Sequence, residues 1–292
     1  MLIDEACCEP ILTGANLSRA TVQYFKHNDM ADLERLLTSI AKDDRKLRRD
    51  PTQQRRCIVA EGLYRNTGAI CPLPQILALK ERFFYRIILD ESLSFGSLGK
   101  TGRGVTEHYG IPIGDVEIVT LALDTALASV GGVCIGTREI VDHQRLSGAG
   151  YCFSASAPPF LAAAAVEALS IMEKDPSLLA ALTANADKVY QGLSAIKGWK
   201  VVGAEASPVL HLVVNCDEDS GIDEAEIVSY VASECLKKGV GLAPSKFSIL
   251  NAHARAVGMK PSLRLTATAV LTAAEIKKTI SEITKIATAA LK

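Results

Sequence analysis

At 292 residues, with 48% apolar and 22% charged residues, the chain is long and apolar enough to bury one large core or two ordinary ones. This composition excludes a disordered chain, and a formal net charge of −1 gives a nucleic-acid partner no global electrostatic support. Eight cysteines include no C-x-x-C pair and five histidines are scattered, which reads as buried thiols in a reducing compartment rather than a disulfide framework or a metal site.

Met1-Leu2-Ile3 runs straight into Asp4-Glu5 without a basic segment, so no signal peptide is read; Leu2-Ile3 resembles the tail of a strand. From Asn28 or Asp29, both suitable caps, the apolar positions Met30, Leu33, Leu36, Leu37 and Ile40 follow helical spacing. Lys42 to Arg56 holds seven basic and three acidic residues. It reads as a solvated helix end and loop, the alternative being a patch for nucleic acid or a lipid headgroup.

Short apolar strands then alternate with helices. Cys57 to Glu61 predicts a strand, Leu73-Pro74 opens a helix to about Phe83, and Ile87 to Leu89 predicts a strand ending on Asp90. Val119 to Gly136 is interrupted by Asp124 and Gly131-Gly132 and reads as two strands about a turn, not a membrane span. A helix follows near Arg138 to Leu146. The alternation predicts an α/β fold with a largely parallel sheet, whose ligands sit beyond the carboxyl ends of the strands, where Asp90 falls. Pro158-Pro159 opens an alanine-rich helix that the sequence assigns, with everything after it, to a second, smaller α+β domain. The division is therefore 1–158 and 159–292. The last helix carries a capping box, Thr272 with Glu275, and an apolar face through Ile276, Ile280, Ile283, Ala287 and Leu291.

Three segments carry chemistry. DESLSFG (Asp90 to Gly96) follows a strand, TLALDTALASVGG (Thr120 to Gly132) holds a small-residue turn and paired glycines, and DEACCEPILTG (Asp4 to Gly14) lies upstream. Together they resemble the α-oxoamine synthase family of fold-type I pyridoxal-phosphate enzymes, whose members read D-E-A-H-S-x-G, then S-K-A-L-G-x-x-G-G, with D-E-L-N-H-A-S-x-x-D-G ahead of both. The resemblance implies an aspartate aminotransferase-like large domain and a small C-terminal domain. It matches Asp90 to the carboxylate that pairs with the protonated pyridine nitrogen and keeps the ring an electron sink. It also sets three departures in view. Leu93 stands where the family has a histidine on the ring oxygen, Cys8 where a histidine stacks on the ring, and Thr125 where the Schiff-base lysine belongs. A hydroxyl forms no imine, so the chain alone is expected to be inactive.

HNDMADLERLL (His27 to Leu37), EGLYRNTGAICPLP (Glu61 to Pro74), GRGVTEHYGI (Gly102 to Ile111) and DHQRLSGAGYCFSASAPP (Asp142 to Pro159) resemble the lysine-free subunits of the family's heterodimeric, sphingolipid-forming branch. That resemblance implies a lysine-bearing partner subunit that holds the pyridoxal phosphate, small accessory membrane subunits, no nucleic acid, and the cytosolic face of the endoplasmic reticulum membrane. It implies condensation of L-serine with an acyl-CoA by the pair. By the same match Ser154 and Ser156 reach the partner's cofactor phosphate or, alternatively, satisfy local backbone groups. Cys8 and Leu93 lie near the shared interface, Cys8 alternatively filling buried space. Arg264 holds the position of a substrate-carboxylate arginine or serves a structural salt bridge, the reading preferred here. His27, His108 and His143 have no role beyond packing and hydrogen bonding.

The resemblance further implies a membrane helix and the start of the large domain ahead of Met1. Without them the sheet is expected to expose edges and the chain to be poorly soluble alone. Two other readings stay open: an active homodimer recruiting another amine, Lys100 being nearest the motif, and a pseudo-enzyme acting as an interaction or regulatory module outside any acyltransferase.

Overall fold

The structure, a computed structural model, describes residues 1–205, 207–216, 223–245 and 259–291. They divide into two compact units: Met1–Tyr64 with Cys71–Pro176, and Arg65–Ile70 with Ser177–Lys292. The sequence division at residue 159 differs from this by one helix and one loop. The helix Pro159–Lys174 groups with the first unit, because Ala165 packs with Leu121 and Leu127 beside Phe95 and Met172. The loop 65–70 groups with the second.

In the first unit β1 (Leu2–Asp4), β2 (Gln23–Phe25), β3 (Cys57–Glu61), β4 (Arg86–Asp90), β5 (Ile118–Ala122) and β6 (Gly132–Gly136) form one sheet in the order β2-β1-β3-β4-β5-β6. Every pair is parallel except β5–β6, which is the antiparallel pair read from the paired glycines. Ile58 to Glu61 are all buried, as a strand covered on both faces requires.

Helices α1 (Glu9–Leu17), α2 (Met30–Leu47) and α3 (Leu73–Phe83) link the early strands. Of the two possible caps for α2 the chain uses Asp29, whose carboxylate accepts from Asp32 N at 2.9 Å. Leu33 and Leu37 form the buried face of α2, and the basic stretch after Ile40 continues the helix to Leu47 before turning. Pro74 opens α3 at a position that needs no N–H, and Leu73, Ile76 and Leu79 are buried. After the short helix α4 (Val105–Tyr109) come α5 (Arg138–Ser147), α6 (Ala149–Cys152) and α7 (Pro159–Lys174).

In the second unit β7 (Trp199–Val202), β8 (Val209–Val214), β9 (Ala243–Pro244) and β10 (Ser262–Thr266) make an antiparallel sheet ordered β7-β8-β10-β9. Helices α8 (Ser177–Ser194), α9 (Glu224–Lys237) and α10 (Ala273–Ala289) supply Val189, Leu193, Val231, Ile276 and Ile283 to a core shared with Leu210, Leu212 and Leu263. Trp199 is fixed there by its indole N–H, which donates to Ala287 O at 3.0 Å. The capping box of α10 is formed in both directions: Thr272 accepts from Glu275 N, and the Glu275 carboxylate accepts from Thr272 N.

No helix among the described residues is long and apolar enough to cross a membrane.

A carboxylate-lined strand edge with a hydroxyl at its centre

Parallel strands end side by side, so their last residues share one edge of the sheet. In the first unit β1 ends on Asp4, β3 on Glu61 and β4 on Asp90. Glu61 is the Cα partner of Asp90, and Asp90 the partner of Thr120. Asp90 has both oxygens engaged inside the chain. Oδ1 accepts from Ser92 N at 3.0 Å, and Oδ2 accepts from the Thr120 hydroxyl at 3.0 Å.

Thr125 lies in the turn between β5 and β6. Its hydroxyl donates to Ser92 O at 2.6 Å and lies 3.4 Å from Ala122 O. Ser92 closes the network, its own hydroxyl accepting from Ala122 N at 2.9 Å. The two segments singled out in the sequence, DESLSFG and TLALDTALASVGG, thus meet through Ser92. The hairpin Ile118–Gly136 contains no lysine.

Cys8 caps α1 and is buried, its N–H donating to the Glu61 carboxylate. Burial pushes its thiol far above the ordinary range, and the Glu61 and Asp90 charges add to the shift. A thiol so held stays protonated and unreactive. Leu93 is half-buried, and its carbonyl accepts from the Ser97 hydroxyl.

Glu91, adjacent to Asp90, is buried, with Oε2 accepting from Ser94 Oγ and Val105 N. Burial raises its pKa and the neighbouring Asp90 charge adds to this. Its Oε1 finds no partner among the described residues. Glu91 ties DESLSFG to the start of α4 and so fixes the loop that leaves the edge. On that loop Lys100 is exposed, at a tip closed by Gly96 N donating to Gly102 O at 2.7 Å.

Ser154 and Ser156 lie between α6 and α7, and both are exposed. Ser154 donates to Gly150 O, the local backbone contact anticipated as one alternative. Aromatic rings flank the pair, Phe153 at 90% exposure and Phe160 at 68%, and Leu146 and Tyr151 are exposed nearby. A monomer rarely leaves such apolar surface open.

Arg264 is in the second unit. Among the described residues no carboxylate pairs with it. It sits half-buried on β10 opposite His211, and burial and the charge of Arg65 both lower its pKa. The arginine is held by β-pairing, and the sheet brings it beside another cation. His211 is buried between Ser262 Oγ, 2.8 Å from Nδ1, and Arg65 O, 3.0 Å from Nε2. The carbonyl can only accept, so Nε2 carries the proton and Nδ1 accepts from Ser262. Burial holds the imidazole neutral, its pKa lowered to about 4. His27 pairs with Asp4 at 2.9 Å and packs edge-on to Tyr64, His143 meets Ser147, and His108 packs on Tyr109.

Glu61, Ser92 and Thr120 were not singled out in the sequence. A signal existed for Glu61, a carboxylate ending a buried strand as Asp90 does. For Thr120 none did, since its partner is thirty residues away.

The aminotransferase class I and II family model matches residues 3–283. Long chain base biosynthesis protein 1b of Oryza sativa subsp. japonica is 39% identical over 292 residues, covering 100% of this chain and 59% of that protein. Serine palmitoyltransferase 1 of Dictyostelium discoideum is 38% identical, covering 98% and 59%. The chain thus spans about three-fifths of the length of these relatives. Among solved structures, Sphingomonas wittichii serine palmitoyltransferase superposes with a TM-score of 0.83 at 23% identity, over 99% of this chain and 66% of that one.

Proposed function

The chain belongs to the aminotransferase class I and II family, and on that premise we propose that it is the non-catalytic long-chain-base subunit of a serine palmitoyltransferase. In this reading it supports condensation of L-serine with palmitoyl-CoA to 3-ketodihydrosphingosine, the entry to sphingolipid synthesis. A second, lysine-bearing long-chain-base subunit holds the pyridoxal phosphate, at the cytosolic face of the endoplasmic reticulum membrane. The relatives' names support the reaction class.

The observation that carries the subunit role is Thr125, whose hydroxyl is spent on Ser92 O beside an Asp90 already satisfied by Ser92 N and Thr120. These residues do not fit a pyridoxal phosphate anchored in this chain. An imine needs an amine, and none stands in the hairpin. A pyridinium partner would have to share an Asp90 oxygen that already accepts a hydrogen bond from this chain. The buried Cys8 thiol offers no π-face. No step is therefore assigned to this chain's own edge.

What it supplies is a wall. The exposed Ser156, set between exposed Phe153 and Phe160, is suited to donate to an anion across an apolar contact, and Ser154 joins it by turning its hydroxyl away from Gly150 O. Expressed alone, the chain shows no visible cofactor band and no condensation. Co-expressed with a lysine-bearing partner, the pair is active, and Ser154→Ala with Ser156→Ala weakens its cofactor retention. Condensation by the chain alone would refute the reading; an active pair indifferent to the double substitution would remove the serines from it.

A further inference from the structure

A second polar site lies in the first unit, where the C-terminal ends of α2 and α3 come together. A pocket of about 350 Å³ opens there, large enough for one small ligand. Its charged lining is Lys42, Arg45, Arg49, Arg56 and Arg82 against the single carboxylate of Asp44. The rest of the chain more than balances this excess, since the total formal charge is −1.

Internal pairing uses only part of that charge. Arg56 binds Asp44 in a two-point contact of 2.5 and 2.7 Å, with Arg49 3.9 Å from the same carboxylate. Arg82 meets Glu34. Lys42 and Arg45 have no acidic partner among the described residues. Two helix C-termini contribute about half a negative charge each, roughly one in all, which leaves the pocket clearly cationic.

The second observation is Phe84. It ends α3 with φ 59°, a left-handed conformation that disfavours a bulky side chain and is usually given to glycine. Its ring is 57% exposed on the pocket wall, so the chain gains no full burial in return for a strain of about 1 kcal/mol. Cations that lack acids beside an aromatic ring that lacks a cover call for an amphipathic anion.

We propose that the α2–α3 pocket, through Lys42, Arg45 and Phe84, binds a phosphate ester whose apolar or planar group lies on the Phe84 ring. A phosphate group carries nearly two charges at neutral pH and suits a guanidinium fork with a lysine beside it. The source is either a soluble nucleotide or a lipid headgroup, and the chemistry is common to both. The inference does not depend on the function proposed above.

The test uses the full chain in the assembly in which it purifies. Probes are ADP, inorganic pyrophosphate, and vesicles of four parts phosphatidylcholine to one part phosphatidate, with pure phosphatidylcholine as the blank. One ester source, ADP or the phosphatidate vesicle, is expected to bind, and which one names the source. Arg45→Glu and Lys42→Glu should each weaken it about tenfold or more, and since both are exposed and without acidic partners among the described residues, melting should fall only by the small cost of a negative charge near a helix C-terminus. Phe84→Ala should weaken the ester and spare pyrophosphate. Lys277→Glu, the same charge change on an exposed position of α10, should do nothing. Failure of both esters to bind, pyrophosphate binding alone, indifference to Arg45→Glu or Phe84→Ala, or an equal loss in Lys277→Glu would each overturn the proposal.

Discussion

Thr120 Oγ1 donates to Asp90 Oδ2 at 3.0 Å across the β4–β5 pair, so a carboxylate placed to receive a ligand is bound by its neighbour in the sheet. With Ser92 N on the other oxygen, each Asp90 oxygen accepts a hydrogen bond from within the chain.

Thr120→Val keeps the shape and removes the donor. The expected cost is about 1–2 kcal/mol, the price of a hydrogen bond to a charged acceptor that is partly re-solvated. Urea unfolding of the two proteins measures it. An unchanged midpoint would mean that water already serves Asp90.

Thr125→Lys supplies the missing amine and little else. Cys8 still offers no aromatic face and Leu93 no hydrogen bond to the ring oxygen, so the variant is expected to gain no stable visible band with pyridoxal phosphate. Borohydride treatment and peptide mapping should find no label at position 125. A band that survives dialysis would show that one residue separates this edge from a working site.

Gly104 sits before α4 with φ 94°, and a Cβ there would lie 2.4 to 2.8 Å from the Glu91 carboxylate. Gly104→Ala should therefore combine backbone strain with displacement of a buried acid, about 2–3 kcal/mol together. Thermal melting should fall markedly, while Gly110→Ala, open around its Cβ, should lose only the conformational share.

His211 makes folding pH-dependent. Its pKa is lowered from an ordinary 6.5 to about 4 by burial, so the unfolded chain takes up the proton first. Its contribution is intact above pH 6.5 and is lost as pH falls from 6.5 to about 4. The slope is roughly 1.4 kcal/mol per pH unit. Unfolding free energies across that window should decline in the wild type, and His211→Gln should flatten the decline. Parallel curves would place the titration elsewhere.

Much of the fold was legible because the signals are local. Apolar period, proline and a capping residue act within one turn or a few residues, which is why α2, α3 and α10 and strands β3 and β4 lie close to where the sequence puts them. Helix α1 and strand β2 were not legible. The first has Pro10 and Gly14 inside a weak pattern, and the second is only three residues, held by pairing with β1.

By itself the sequence determined which groups the chain can offer: a threonine and no lysine in the β5–β6 turn, a cysteine at position 8, arginines and lysines after Ile40. Covalent chemistry follows from residue identity alone. Only the tertiary structure decided how those groups are spent. It gave Asp90 to Thr120 and Cys8 N–H to Glu61, set Arg264 opposite His211, tied α7 to the first unit through Ala165, and gathered the basic stretch around Phe84. Each of these joins residues far apart in the chain, and such contacts become fixed only when sheet register and helix packing close the loops between them.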